Sequence, residues 1–100
     1  MIIIEASARI PDGAWDSAKS AMEAMILASR EEEGCIEYAY SLDILDTSVM
    51  RIIERWKDMD ALKFHFATPH MATFRAALAE LAPSDLSIRM YDAEPQALPL

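Results

Sequence analysis

Hydrophobic and polar residues alternate in four segments of the chain, and a period of two residues is typical of β-strands. The first segment spans residues 2 to 8 and begins with three isoleucines; the others span residues 35 to 42, 49 to 57 and 86 to 91. Between the second and third segments, Asp46, Thr47 and Ser48 form a cluster of turn-favouring residues. We therefore expect four strands, of which the second and third form a hairpin.

Apolar residues recur with helical spacing between the first two strands. Ala18, Met22, Met25 and Ile26 share one side of a predicted long helix. We expect Asp12 to be its N-cap, and Gly34 lies just past its end, where glycine commonly stops a helix.

A second helical region follows the third strand and is interrupted near its middle. Asp58 is placed to cap its start. Thr68-Pro69 interrupts it, because a threonine hydroxyl can cap free N–H groups and proline fits the first position of a helix. Two short helices are therefore predicted between Asp58 and Pro83.

The resulting order of strand, helix, strand, strand, helix, strand predicts an α+β fold, a ferredoxin-like split βαβ sandwich in one domain of residues 1 to 100. Helices then cover one sheet face, yet Ile3 and Ile4 point to opposite faces, as do Ile52 and Ile53. We expect a second copy to cover the outer face, giving a dimeric α+β barrel. The proline-containing tail, residues 95 to 100, is predicted to be loose or docked on the partner subunit.

Composition indicates which partners to expect and in which compartment the protein works. Seventeen acidic residues against nine basic ones give a net charge of −8, which repels nucleic acid and anionic lipid. No apolar run approaches the roughly 20 residues that span a bilayer. The N-terminus lacks signal-peptide features and Cys35 is a lone cysteine. We expect a soluble, cytoplasmic protein with no nucleic-acid or membrane partner.

Several short motifs together resemble the antibiotic biosynthesis monooxygenase domain family, and the resemblance covers nearly the whole chain. The carriers are Glu33-Gly34-Cys35-Ile36-Glu37-Tyr38, Glu54-Arg55-Trp56, Ala61-Leu62 with His65, and Pro69-His70-Met71 with Phe74. The resemblance implies a small homodimer with a pocket between sheet and helices, often able to oxidise phenols or quinols with O2 and no cofactor. Aromatic-polyketide and haem-degrading branches are similar in using an asparagine, which this chain lacks. The quinol monooxygenase-like branch remains.

Both histidines lie within six residues of each other, around Pro69. Triplet oxygen reacts slowly with a neutral phenol but can take one electron from a phenolate, so deprotonation is the main task of such an enzyme. Histidine has the unperturbed pKa closest to neutrality, about 6.5. His65 and His70 are therefore the predicted catalytic residues, with one or the other as the base. The alternatives are a structural His65 bonded to a carboxylate or carbonyl, and a His70 that only organises a helix start.

The predicted substrate-binding residues are aromatic or carboxylate side chains near those histidines: Tyr38, Glu54, Trp56, Phe66 and Phe74. Glu54 shares a strand face with Trp56 and would need a partner if buried. It could also hold a dimer interface, and Trp56 could serve only as packing.

No metal site and no cofactor are predicted. Two histidines and one cysteine lack the spacing of a standard zinc set. The acidic run of Glu31, Glu32 and Glu33 lies at a helix end, where a solvated face or contacts with arginine are more natural than a calcium site. The alternatives to a monooxygenase are a non-catalytic ligand-binding dimeric module and a non-oxidative isomerase.

Overall fold

A computed structural model describes all 100 residues and contains four strands and three helices. In chain order they are β1 (Ile2–Arg9), α1 (Ala14–Arg30), β2 (Cys35–Leu42), β3 (Val49–Trp56), α2 (Met59–Phe66), α3 (Pro69–Leu81) and β4 (Ser84–Asp92). The predicted order of elements is confirmed, including the two short helices between β3 and β4. None of these helices offers the long apolar stretch that a bilayer-crossing segment needs.

The four strands form one antiparallel sheet in the order β2-β3-β1-β4. In the central pair Ile4 lies opposite Glu54, and on its other side Ile4 lies opposite Met90. This strand order and the helices on one face confirm the α+β, ferredoxin-like split βαβ class. The sheet of a single chain is open, with β2 and β4 as its edges.

Local capping explains where the short helices begin, and it corrects one prediction. The Asp58 carboxylate accepts from the Ala61 N–H at 2.8 Å, and the Thr68 hydroxyl accepts from the Met71 N–H at 3.2 Å. The predicted N-cap Asp12 is wrong. The chain enters α1 through Gly13, whose φ of 77° is in the left-handed region that glycine adopts without strain.

The buried core lies between the sheet and the helices. Met22 and Met25 of α1 pack there with Ile2 and Ile4 of β1 and with Trp56 of β3. The helices do not extend over β4, and all nine of its residues are exposed. Apolar side chains of β4 therefore face solvent in a single chain: Leu86, Ile88, Met90 and Tyr91.

Candidate functional site

An apolar cavity of about 150 Å³ lies between the sheet and helices α2 and α3, close to β4. Twelve of its fourteen lining residues are hydrophobic. Four of the predicted substrate-binding residues line it: Tyr38, Glu54, Phe66 and Phe74. Trp56, His65 and His70 are not among its lining residues. The sheet and the two short helices thus enclose a space suited to an apolar ring, with very few polar groups.

Glu54 is the one carboxylate on the cavity wall. Glu54 is 9% exposed, and its Oε1 accepts a hydrogen bond from the Trp56 indole N–H at 3.0 Å. Burial disfavours the ionised form and raises the pKa of Glu54 to about 6. The carboxylate is therefore held in place by one neutral donor while it remains able to take a proton near neutral pH.

Tyr38 and Tyr40 bring two hydroxyl groups to the same side of the sheet. Their oxygens are 3.0 Å apart, and the Tyr40 ring packs edge-on against Phe74. Burial raises the pKa of both phenols, so both stay neutral. Arg30 donates to the Tyr38 carbonyl at 2.8 Å and so ties the end of α1 to β2. Tyr38 can thus offer the cavity a fixed, uncharged polar group.

The two histidines converge on one carboxylate oxygen behind the cavity. The distance from Glu32 Oε2 to His65 Nδ1 is 2.7 Å, and to His70 Nε2 it is 2.8 Å. An ionised carboxylate only accepts hydrogen bonds, so both contacts require an N–H at those ring atoms. Glu32 therefore fixes the orientation of both imidazoles. We call these three residues the histidine–carboxylate cluster.

His65 is the most deeply buried member of this cluster, at 1% exposure. Its ring lies 4.4 Å from the Trp56 ring, between centroids, and burial lowers its pKa, which favours the neutral imidazole. Because Trp56 also donates to Glu54, one indole contacts both the cluster and the cavity carboxylate. The cluster can therefore hold the indole that positions Glu54.

Gly34 permits the close approach that builds the cluster. A Cβ at this position would overlap the Cβ of Ala61 on α2. The Gly34 carbonyl also accepts from the Lys57 N–H at 2.9 Å, which fixes the turn after α1 beside the start of α2. A glycine here lets α2 pack against the turn, so that Glu32 reaches His65.

Sequence reasoning missed Glu32. It treated the three consecutive glutamates as equivalent, whereas the Glu32 side chain is 6% exposed and that of Glu33 is 95% exposed. One signal was available: a carboxylate just after the end of a helix is disfavoured by the helix dipole unless it has a donor nearby. His65 does contact a carboxylate, as the structural alternative for this residue stated. That contact does not test base catalysis, so the catalytic roles of His65 and His70 stay predictions.

Comparisons with known proteins agree with this architecture. The family model described as antibiotic biosynthesis monooxygenase matches residues 1–77. YcnE of Bacillus subtilis (strain 168), a monooxygenase by proposal only, is 28% identical over 88 residues, which cover 88% of this chain and 93% of that protein. The uncharacterized protein sll1783 of Synechocystis is 32% identical over 77 residues, covering 76% of this chain and 52% of that protein.

A crystal structure of a Deinococcus radiodurans protein, itself proposed to be an antibiotic biosynthesis monooxygenase, superimposes with a TM-score of 0.89. The match covers 100% of this chain and 99% of that one at 25% identity. These relatives support a monooxygenase-like role without specifying a substrate. The family match over three quarters of the chain, on a fold of the same kind, identifies the chain as a member of the antibiotic biosynthesis monooxygenase family.

Proposed function

We propose that this protein is a cofactor-independent monooxygenase that oxidises a small phenolic or quinol compound with molecular oxygen. The observation that carries the proposal is the Glu54 carboxylate on the wall of a mostly apolar cavity. Family membership supports the reaction class. The cavity and its single carboxylate support a neutral aromatic substrate that must lose a proton.

The size of the cavity favours a single aromatic ring. Its volume is about 150 Å³, whereas sites for larger organic ligands are commonly ~300–1,000 Å³. An apolar cavity of about 150 Å³ in another protein stays dry and binds benzene. We therefore expect a monocyclic phenol or hydroquinone to fit better than a bicyclic naphthoquinol.

Glu54 is the best placed proton acceptor for such a ring. Proton transfer from a phenol to an ionised carboxylate keeps the total charge at minus one. The cavity therefore does not have to accommodate an additional charge. The raised pKa of Glu54, about 6, narrows the gap to the phenol. His65 and His70 are the bases expected from the sequence. His65 then acts as a positioning residue through Trp56, and His70 acts through the Glu32 carboxylate that both imidazoles share.

The proposed reaction balances without an external reductant. The phenol O–H proton goes to Glu54, and the phenolate gives one electron to O2. The resulting radical pair combines at a ring carbon, and Glu54 returns its proton to the peroxide oxygen, which gives a substrate hydroperoxide and the ionised carboxylate. Loss of water then leaves a quinone carbonyl, so one oxygen atom enters the product and the other leaves as water. The substrate supplies all four electrons that reduce O2.

A homodimer in the cytoplasm is part of the proposal. Ile88 and Met90 of β4 pair with Ala6 and Ile4 of β1 and so lie on the helix-covered side of the sheet, where no helix reaches them. Tyr91 lies on the other face, opposite Ile3. A second copy, with the tail of residues 95 to 100 docked on its partner, would bury this apolar surface and close the cavity near Leu86.

Oxygen uptake with purified protein tests the reaction. We expect consumption above autoxidation with monocyclic hydroquinones, and slower consumption with menadiol because a second ring would extend beyond the cavity of about 150 Å³. Glu54→Gln should lower kcat by about 100-fold or more, the usual contribution of a general base. Glu80→Gln, an exposed glutamate of α3, is the matched control and should leave kcat unchanged.

Three outcomes would separate this proposal from its alternatives. No uptake across the panel, together with a ligand-induced rise in unfolding temperature, would indicate a binding module. Turnover that is equally fast without O2 would indicate an isomerase. Full activity in Glu54→Gln with loss in His70→Ala would return the base to the histidines.

Sedimentation velocity tests the dimer. We expect a dimer at micromolar concentration, and Met90→Lys should shift it to monomer because the substitution puts a charge into the apolar contact without altering a cavity-lining residue. A well-folded wild-type monomer would contradict the proposal.

A further inference from the structure

We propose that Glu32, His65 and His70 form a binding site for a divalent transition-metal ion. The ligand atoms of these three residues lie within 4.8 Å of one another. The separations of 2.7 and 2.8 Å suit hydrogen bonds. Around a tetrahedral ion with ligand atoms about 2.0–2.1 Å away, neighbouring ligand atoms are ~3.3 Å apart, so small shifts of these side chains would admit an ion.

The three ligands come from separate parts of the fold. Glu32 lies in the turn after α1, His65 in the last turn of α2, and His70 at the second position of α3. The packing of both short helices against this turn sets their convergence, so the three donors already lie close together. Two imidazoles and one carboxylate leave further coordination positions open, which is typical of zinc and iron sites.

The second oxygen of Glu32 gives an independent indication of a ligand. The Glu32 side chain is only 6% exposed, and its buried Oε1 has no hydrogen-bond partner. Buried polar atoms without partners are rare and call for a water, an ion or a functional explanation. A cation held by this carboxylate would neutralise the charge that Oε1 shares with Oε2.

An acidic cleft on the surface offers a path for a cation. The cleft has a volume of about 640 Å³, and Glu32 is one of its lining residues. Its charged residues are five carboxylates and one ammonium: Glu31, Glu32, Glu33, Asp58, Asp60 and Lys57. This excess of negative charge raises the local concentration of cations. The His70 side chain, 24% exposed, leaves the cluster accessible to small solutes.

Metal binding needs a change of tautomer at the histidines and small shifts of the three side chains. Each neutral imidazole presents its lone pair where it now donates, and its proton moves to the other ring nitrogen. In each ring one N–H bond breaks and one forms, and the freed lone pair coordinates the ion. Imidazole nitrogens favour borderline ions such as Zn²⁺ over Mg²⁺, which prefers oxygen ligands and retains its waters.

Titration calorimetry with tag-free protein and Zn²⁺ tests the site, with Mg²⁺ as the comparison ion. We expect about one Zn²⁺ per chain, a rise in unfolding temperature with Zn²⁺, and little or no response to Mg²⁺. Glu32→Gln and His70→Ala should each weaken Zn²⁺ binding at least ~10-fold, as expected for loss of a ligand. The matched control Glu33→Gln should bind as the wild type does, because its side chain is 95% exposed.

His70→Ala is the main variant because this side chain is partly exposed and its loss leaves the core intact. A circular dichroism spectrum like that of the wild type shows that each variant is folded. Absence of Zn²⁺ binding would overturn the proposal and leave a purely hydrogen-bonded cluster. Binding that survives both Glu32→Gln and His70→Ala would also overturn it. Neither result bears on oxygen uptake, so the metal site and the proposed function can fail separately.

Discussion

Two buried glutamates of this chain occupy opposite kinds of environment. Glu32 gives one oxygen to two imidazole N–H groups and lines an acidic cleft. Glu54 has a single indole donor and otherwise faces hydrocarbon. The same side chain is therefore a fixed acceptor in one place and a proton acceptor in the other. The number and kind of donors around a carboxylate, and not its burial alone, separates these roles.

Replacing Glu32 should have the largest effect on stability. Glu32→Gln removes the charge that holds two N–H donors, and we expect it to lower the free energy of unfolding by about 3 kcal/mol. Urea denaturation at neutral pH measures this change. Glu33→Gln is the control and should change stability by less than about 0.5 kcal/mol. Equal effects of the two substitutions would mean that the cluster contributes nothing to folding.

Moving the turn after α1 away from α2 should also lower the stability of the protein. Gly34→Ala puts a Cβ into the space of the Ala61 Cβ and should destabilise the protein by about 2 kcal/mol. The double substitution Gly34→Ala with Ala61→Gly removes the overlapping atom. The double variant should therefore lose less stability than the sum of the losses caused by the two single substitutions. Simple additivity would show that the close approach is not the cause.

Replacing Glu54 should raise the free energy of unfolding near neutral pH, whereas replacing Glu32 lowers it. Its pKa of about 6 in the folded chain lies above the ordinary 4.5, so folding binds the proton more tightly and wild-type stability falls as pH rises from 4.5 to 6. Glu54→Gln lacks this penalty and should be more stable than wild type near pH 7.5, by up to about 2 kcal/mol. Denaturation at pH 4.5 and 7.5 measures it. A destabilised variant at pH 7.5 would contradict the assigned environment.

The pH dependence of turnover tests whether ionised Glu54 is the proton acceptor. If ionised Glu54 accepts the proton, kcat/KM should rise with pH and level off above about 6. At pH 5 it should be about tenfold lower than on the plateau. Stopped assays of oxygen uptake across this range provide the profile. Residual activity of Glu54→Gln should lack the acidic limb, and persistence of that limb would assign it to another group.

Local sequence signals predicted most of the fold. Alternation located the strands, and Asp58 and Thr68-Pro69 each marked a helix start with a side chain that does cap it. The Asp12 cap was wrong because the positive φ of Gly13 sets the entry to α1. These features depend on neighbours within a few residues, which a sequence displays directly.

The candidate site was predictable only in part. Strand alternation and helical spacing brought Tyr38, Glu54, Phe66 and Phe74 to one cavity, because they fix which side chains share a face. Which of three adjacent glutamates turns inward was not predictable. That choice follows from the packing of α2 against Gly34, a contact between residues distant in sequence.

Direct titration of Glu54 tests whether this buried carboxylate can accept a proton near neutral pH. The carboxyl carbon of this residue can be followed by ¹³C NMR in protein labelled at glutamate, with Glu54→Gln to assign the signal. We expect a midpoint near 6, because burial raises the pKa of Glu54 to about 6. A midpoint at or below 4.5, the ordinary value for a glutamate, would contradict it.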